Sequence, residues 1–212
     1  MPDFNHLIKR ALVSLELDPD LPSGRSTRLG LASTWATRVF EWNQRIDLTA
    51  ARGPEELVDL LIADAAIVAN NCSQDSESWL DVGTGAGAPG LGLAVLLPAL
   101  RIQLLEPKAK RIAFLRTVVG ELGIPVRVLR GRSEEQPNGA CSVAISRATL
   151  PPPQWLEEGA RLARHSVWVL LAQADAPALQ GWQEAQRLEY RWPLTGVERT
   201  ALRFERVESE PR

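Results

Sequence analysis

The sequence predicts an α/β protein: a mostly parallel sheet of about seven strands wound with helices, closed by an antiparallel hairpin and preceded by a helical segment. Three observations carry this. Short apolar runs alternate with helical stretches from Trp79 onward, the pattern of repeated βαβ units. A glycine-dense turn follows the first of those runs, Asp81-Val82-Gly83-Thr84-Gly85-Ala86-Gly87-Ala88-Pro89-Gly90. The C-terminal part ends in two strand-like runs joined by Pro193-Leu194-Thr195-Gly196, a turn sequence that suits a hairpin.

The first 71 residues read as helical. Phe4, Leu7, Ile8, Ala11, Leu12 and Leu15 recur at three-to-four spacing, with Asp3 or Asn5 available as the cap. The stretch Asp18 to Gly24 interrupts the chain. A second helix carries Leu31, Trp35, Val39 and Trp42 on one face, which reads as core. A third begins at Pro54 with Glu55 and Glu56 in its first turn and runs through Leu57, Leu61 and Ala65; proline suits the first helical position and acids suit the first turn. Residues 1–73 are therefore expected to form a helical cap on a domain spanning 74–212. In that domain the expected strands are Trp79–Val82, Ile102–Glu106, Val126–Leu129, Cys141–Ser146, Val167–Leu171, Glu189–Trp192 and Arg199–Val207. Helices fall between them, including Lys110–Leu122 and Gln154–Ala163.

The glycine turn is the feature that points to function. Glycine tolerates positive φ and lets a ligand approach bare backbone, and the helix that follows favours negative charge at its start. Gly85 to Gly90 satisfies the G-x-G-x-x-G spacing of dinucleotide sites, a weak match on its own. In that motif the backbone receives a pyrophosphate, which the carboxylate of Asp81 at the strand tip would repel. An acid there suits a cofactor bearing an ammonium group, so S-adenosylmethionine is favoured over a nicotinamide dinucleotide. Glu106, at the end of the next strand, can accept hydrogen bonds from ribose hydroxyls of either cofactor.

Composition narrows the class. The chain has 212 residues, 45% of them hydrophobic and 24% charged, ordinary globular material. Nothing in the sequence resembles a membrane span or a signal peptide, and Cys72 with Cys141 are too few for a disulfide framework or a zinc site. A cytoplasmic monomer with no metal is expected. The net charge of −2 argues against a generic polyanion binder, but Arg101–Arg132 holds eight basic residues against Glu106 and Glu121. That segment reads either as a positive face beside the cofactor loop or as a solvated helix face.

An ordered set of residues now carries a resemblance. Trp42-Asn43, Leu48-Thr49, Asp81 to Gly90, Glu106, Lys110-Arg111, Phe114-Leu115, Arg132-Ser133-Glu134 and Ser146-Arg147-Ala148 together resemble the small-subunit ribosomal RNA methyltransferase G family, also called glucose-inhibited division protein B. The resemblance implies a Rossmann-like methyltransferase fold and transfer of a methyl group from S-adenosylmethionine to N7 of a guanine in 16S rRNA. It implies that Asp81, Gly83, Gly85, Gly87, Ala88, Glu106, Ser133, Glu134 and Arg147 hold the cofactor. It places Arg147 also beside the target base as the catalytic candidate, while the basic run Arg101–Arg132 puts Lys108, Lys110 and Arg111 forward as the residues toward RNA. The chain departs from the family pattern at Leu60-Leu61, at Ser142 and at Leu171-Ala172, where polar or basic residues stand in the family. Those departures are expected to strip polar groups from the substrate pocket, which leaves a diverged methyltransferase of this kind with another substrate, or a catalytically weak S-adenosylmethionine-binding protein, as the alternative. Guanine N7 has a free lone pair, so the reaction demands alignment rather than a general base. Neither His6 nor His165 falls in a catalytic constellation, and Cys141 reads as a buried thiol rather than a nucleophile.

Overall fold

The computed structural model describes residues 1–24, 26–72, 78–172 and 175–207. Helix α1 spans Phe4–Ser14, and its start is fixed by Asp3, whose side chain accepts a hydrogen bond from the His6 amide. A two-residue hairpin that the sequence reading missed follows, β1 (Pro22–Ser23) with β2 (Ser26–Thr27). Helix α2 runs from Arg28 to Asn43 and α3 from Pro54 to Asn71. Thr27 caps α2 by accepting from the Gly30 amide. The remaining elements alternate: β3 (Ser78–Val82), α4 (Gly90–Leu96), β4 (Arg101–Glu106), α5 (Ala109–Leu122), β5 (Arg127–Arg130), β6 (Cys141–Arg147), α6 (Pro152–Leu162), β7 (Ala163–Leu171), β8 (Trp182–Arg191) and β9 (Glu198–Arg206).

Seven strands form one sheet in the order β5-β4-β3-β6-β7-β9-β8. The first five are parallel neighbours, and β9 pairs antiparallel with both β7 and β8. The strand order reverses beside β3, so a crevice opens outside the carboxyl ends of β3 and β6, where ligands bind in such sheets. Apolar side chains cover both faces. One cluster joins the N-terminal helices to the sheet, packing Phe4, Ile8, Trp35 and Leu61 with Leu104, Phe114 and Ile145. The other places Trp155 and Leu156 of α6 against Val167, Leu171 and Phe204. The boundary expected between residues 73 and 74 lies outside the described residues.

Strand β8 begins seven residues earlier than the Glu189 start expected from the sequence. Gln183-Glu184-Ala185-Gln186 lacks alternation, yet the ladder with β9 recruits it across a register shift between Glu184 and Gln186. An edge strand needs only one partner, so polar residues on its free side cost little.

The hairpin is held to α3 by two buried acids. Asp59 is fully buried and accepts from the amides of Leu194 and Thr195 at 3.1 and 2.9 Å and from the Thr195 hydroxyl at 2.8 Å. Burial pushes its carboxyl above the usual range, and the three donors pull it back. Asp59→Ala leaves these amides without an acceptor and is expected to destabilise the chain by about 1–3 kcal/mol. Urea unfolding of the variant checks this; an unchanged midpoint would remove Asp59 from the account of hairpin docking.

Candidate functional site

The crevice at the carboxyl ends of the strands is a cleft of about 500 Å³. Four loops and two helices line it. The turn after β3 contributes Gly83 to Ala86 and Ala88, the turn after β4 contributes Glu106 to Lys108, and the end of β6 contributes Arg147 to Thr149. The link between α2 and α3 contributes Asp47 to Ala50, with Leu60 from α3 and Arg111 from α5.

The glycine turn is tied from inside. Asp81 is fully buried; its Oδ2 accepts from the Thr84 hydroxyl at 2.6 Å and from the Gly90 amide at 2.8 Å. One carboxylate oxygen thus closes the turn onto the start of α4. The other, Oδ1, is buried with no hydrogen-bond partner among the described residues. Burial raises the Asp81 pKa to about 6, offset in part by Thr84, Gly90 and the field of Arg147, while Glu106 adds to the rise. Gly83, Gly85 and Gly87 have φ of +68°, +59° and +106°, conformations that side chains with a Cβ resist. At Gly83 a Cβ would also stand 2.4 Å from the Thr149 hydroxyl. Beneath the turn, the Trp35 indole donates to the Ala86 carbonyl at 2.9 Å, so α2 buttresses the loop directly.

Glu106 is 1% exposed although it lines the cleft. Its two oxygens accept from the Gly85 and Lys108 amides at 3.1 and 3.0 Å, and carboxylate oxygens retain further lone pairs for a ligand. Arg111 bridges two sides of the cleft. Its Nε donates to the Asp47 carbonyl at 2.9 Å, and its guanidinium reaches Asp47 and Glu106 at 3.5 and 4.0 Å. The segment that carries Asp47 is shaped by Asn43, which accepts from the Leu48 and Thr49 amides and donates to the Thr49 carbonyl. These bonds account for the paired Trp42-Asn43 and Leu48-Thr49 of the sequence, whose spacing alone gave no reason for them.

Arg147 lines the cleft from β6. Its Nη1 donates to the Leu60 carbonyl at 2.5 Å and to Asp64 at 3.2 Å. Asp64 is 1% exposed and also accepts from the Tyr190 hydroxyl and the Trp192 indole, both at 2.7 Å. This network was not visible in the sequence, because Arg147, Tyr190 and Trp192 lie 83, 126 and 128 positions from Asp64.

Not every expected site residue lines the cleft. Ser133 and Glu134 lie in a 3-10 turn, Ser133–Glu135, after β5. Arg161 of α6 donates to the Ser133 carbonyl at 2.7 Å and pairs with Glu158. Asp81, fully buried, and Gly87 both stand behind the lining, the would-be Cβ of Gly87 facing Leu91 and Trp35. Lys110 is exposed on the first turn of α5.

The expected loss of polar groups from the pocket requires correction. Leu61 and Leu171 are 1% and 4% exposed, each in a different core cluster, so neither faces the cleft. Leu61 shares the core-facing stripe of α3 with Leu57 and Ala65, and a helix cannot present one residue to both sides. Ser142 opens β6 at the opposite ends of the strands, where it bonds Ser78 and Arg164. Leu60 alone of the substituted positions lines the cleft. Cys141 is buried, as expected, and burial pushes its thiol up to about 12, so it supplies no thiolate.

This architecture is the Rossmann-like methyltransferase fold. A methyltransferase from Aquifex aeolicus described as SAM dependent superposes with a TM-score of 0.53 at 16% identity, covering 81% of this chain and 98% of that one. A methyltransferase from Pyrococcus furiosus gives the same score at 16% identity, over 82% of this chain and 96% of that one. At these identities the likeness shows the fold.

The sequence carries the relationship further. The profile of the GidB family, described as rRNA small subunit methyltransferase G, matches residues 29–194. Curated relatives named ribosomal RNA small subunit methyltransferase G include one from Anaeromyxobacter sp. (strain Fw109-5), 32% identical over 76% of this chain and 74% of its own length. Another, from Myxococcus xanthus (strain DK1622), is 31% identical over 79% and 83%. A third, from Anaeromyxobacter dehalogenans (strain 2CP-C), is 28% identical over 96% and 98%. The chain belongs to the rRNA small subunit methyltransferase G family.

Proposed function

We propose that the chain uses S-adenosylmethionine to methylate N7 of a guanine in 16S rRNA, with the cleft at β3 and β6 as the site of transfer. The observation that carries this is the acid-braced glycine turn with Glu106 hydrogen-bonded beside it at the cleft. The residues fit the cofactor. Asp81 keeps a buried oxygen without a partner, which matches a cationic or donor group, and the positive-φ glycines leave backbone bare where a Cβ would intrude. In this reading Asp81, Gly83, Gly85, Gly87 and Ala88 shape the seat of the methionine half. Glu106 accepts the ribose hydroxyls. Ser133 and Glu134, beside the end of β5, bound the adenine. When bound, the cofactor supplies a methyl group on a sulfonium, a good electrophile that needs no metal.

The protein's own part is placement. Guanine N7 loses no proton, so the cleft requires no general base, and rate comes from holding donor and acceptor in line. Arg147 is the catalytic candidate, because Nε and Nη2 of its guanidinium have no partner among the described residues. Those donors can orient the purine or neutralise an adjacent phosphate. The base must be held out of its stack to enter, and the rim formed by Asp47 to Ala50 and Leu60 is apolar and polar by turns, as a purine face and edge require.

The pairing of charges supports RNA approach on the α5 side. On the hairpin, Arg187, Arg191 and Arg203 are each matched by a glutamate, and Arg199 and Arg206 lie over the rings of Trp192 and Trp182. Near the cleft, Lys108 and Lys110 form no ion pair among the described residues, whereas Arg111 is engaged by Asp47 and Glu106. Lys108 and Lys110 therefore carry the free charge, and Arg111 acts chiefly inside the cleft.

Calorimetric titration with S-adenosylmethionine and, separately, NADH tests the cofactor: saturable binding of the first and none of the second is expected, and the reverse would overturn the reading. For RNA, Lys108→Glu with Lys110→Glu is expected to weaken binding across sequences and to reduce the log–log salt slope by about 1–2, since each phosphate contact releases counterions. An unchanged slope would return this surface to the role of a solvated helix face.

A further inference from the structure

We infer that Asp64 is the positioning residue for Arg147, holding that guanidinium with one carboxylate oxygen while the other docks the C-terminal hairpin. The inference rests on the reading of the cleft as the methyl-transfer site and assigns the work there to a side chain that does not reach the cleft itself.

The carboxylate of Asp64 is divided between two tasks. Oδ1 takes two donors from the hairpin, the Tyr190 hydroxyl and the Trp192 indole. Oδ2 takes Nη1 of Arg147. The Leu60 carbonyl, one turn earlier on α3, accepts from the same nitrogen, so both protons of Nη1 are engaged. A planar guanidinium fixed at one nitrogen has its remaining donors fixed in direction. For Arg147 these are Nε and Nη2, and the side chain remains 20% exposed at the cleft. Without the Asp64 bond the long side chain regains rotamer freedom, and a donor that must meet a base edge loses its aim.

The position is buried, so a carboxylate there needs its donors. Three are supplied, from β6 and from the end of β8 with its turn, and among the described residues no lysine or other arginine shares it. A purely structural acid needs only the hairpin donors. The Asp59 site one turn away on the same helix is built that way, with all three of its bonds to Leu194 and Thr195. The contrast between the two acids separates a clamp from a clamp that also aims a cleft residue.

Asp64→Asn isolates the arm that faces Arg147. Its carbonyl oxygen still accepts from Tyr190 and Trp192, while its amide presents donors to Nη1 in place of an acceptor. Methyl transfer to small-subunit RNA is expected to fall about tenfold or more in kcat, with affinity for S-adenosylmethionine within about twofold of the parent. In an Arg147→Ala background the same change is expected to add little, since coupled residues are non-additive. Tyr190→Phe is the control: it is expected to lower the melting temperature while leaving kcat within about twofold. A parental kcat in Asp64→Asn, or an equal kcat loss in Tyr190→Phe, would overturn the inference. The Arg147 Nη1–H resonance, the one that reports the bonds to Asp64 and Leu60, is read alongside on the whole chain without RNA. A resolved, slowly exchanging signal in the parent that broadens in Asp64→Asn and not in Tyr190→Phe supports positioning; a freely exchanging signal in the parent overturns it even where Asp64→Asn does not fold. If the parent transfers no methyl to RNA, the proposed function falls and this resonance alone decides the role of Asp64.

Discussion

Gly85→Val is expected to abolish binding of S-adenosylmethionine, lowering affinity at least about hundredfold, while the chain still folds. The backbone at Gly85 has φ +59°, and a Cβ there would point into the cleft, its nearest neighbour the Leu48 carbonyl at 3.6 Å. No core atom is displaced, so the structural cost is the left-handed conformation, about 1–3 kcal/mol for a bulky residue. The ligand cost is larger, because isopropyl volume occupies the space where cofactor must meet backbone. Gly90→Ala provides the contrast. There a Cβ would lie 2.5 Å from Leu104 and 2.7 Å from Asp81, and damage to the fold itself is expected. Calorimetry and a thermal melt on both variants check the pair. Parental binding by a folded Gly85→Val would show that the cofactor sits elsewhere.

Asp81→Asn is expected to separate stability from binding. With its pKa raised to about 6 by burial, the folded carboxyl holds its proton more tightly than the unfolded one, whose pKa is about 3.9. Holding the charge therefore costs nothing below about pH 4, costs progressively more up to about pH 6, and reaches about 3 kcal/mol above it. Stability of the ligand-free chain thus declines across that window as pH rises. Asparagine keeps an acceptor for Thr84 and Gly90 but cannot ionise, so the variant is expected to lose this slope and to match or exceed the parent above pH 6. Its affinity for the cationic cofactor is expected to fall about 10–100-fold at neutral pH. In the parent, that affinity is expected to weaken as pH drops below about 6. Denaturant unfolding from pH 4 to 8, with and without S-adenosylmethionine, measures both effects. A parental slope in the variant would mean that Asp81 is not the titrating group.

The fold was legible because its signals are local. Trp79–Val82, the glycine turn and Ile102–Glu106 lie within 28 consecutive positions, and each obeys a short-range rule: apolar run, positive-φ glycine, acid at the strand end. Asp81 and Glu106 were legible for the same reason. What escaped was long-range. Asn43 reads as an ordinary helix end until the Leu48 and Thr49 amides are seen turning back to it. Asp64 reads as a polar interruption in an apolar helix until Tyr190, Trp192 and Arg147 arrive from elsewhere in the chain. The misjudged positions show the opposite failure. Leu61 and Leu171 stand where a family pattern has polar residues, yet the three-to-four spacing of Leu57, Leu61 and Ala65 assigns Leu61 to the core. Periodicity was the better guide there, because burial of a helix stripe is enforced by every turn of the helix.

The most direct test of the central claim is transfer itself. Purified chain is incubated with methyl-labelled S-adenosylmethionine and small ribosomal subunits, or their naked 16S rRNA, from cells lacking an enzyme of this family. One portion of the RNA is then digested to nucleosides to identify the labelled base, and a second, intact portion is cleaved chemically at N7-methylated guanine to map its position. The account requires label in 7-methylguanosine at a single position, absent with Gly85→Val and reduced with Asp64→Asn. Saturable cofactor binding accompanied by no label in RNA, or by label in a different base or at a different atom of guanine, would contradict it.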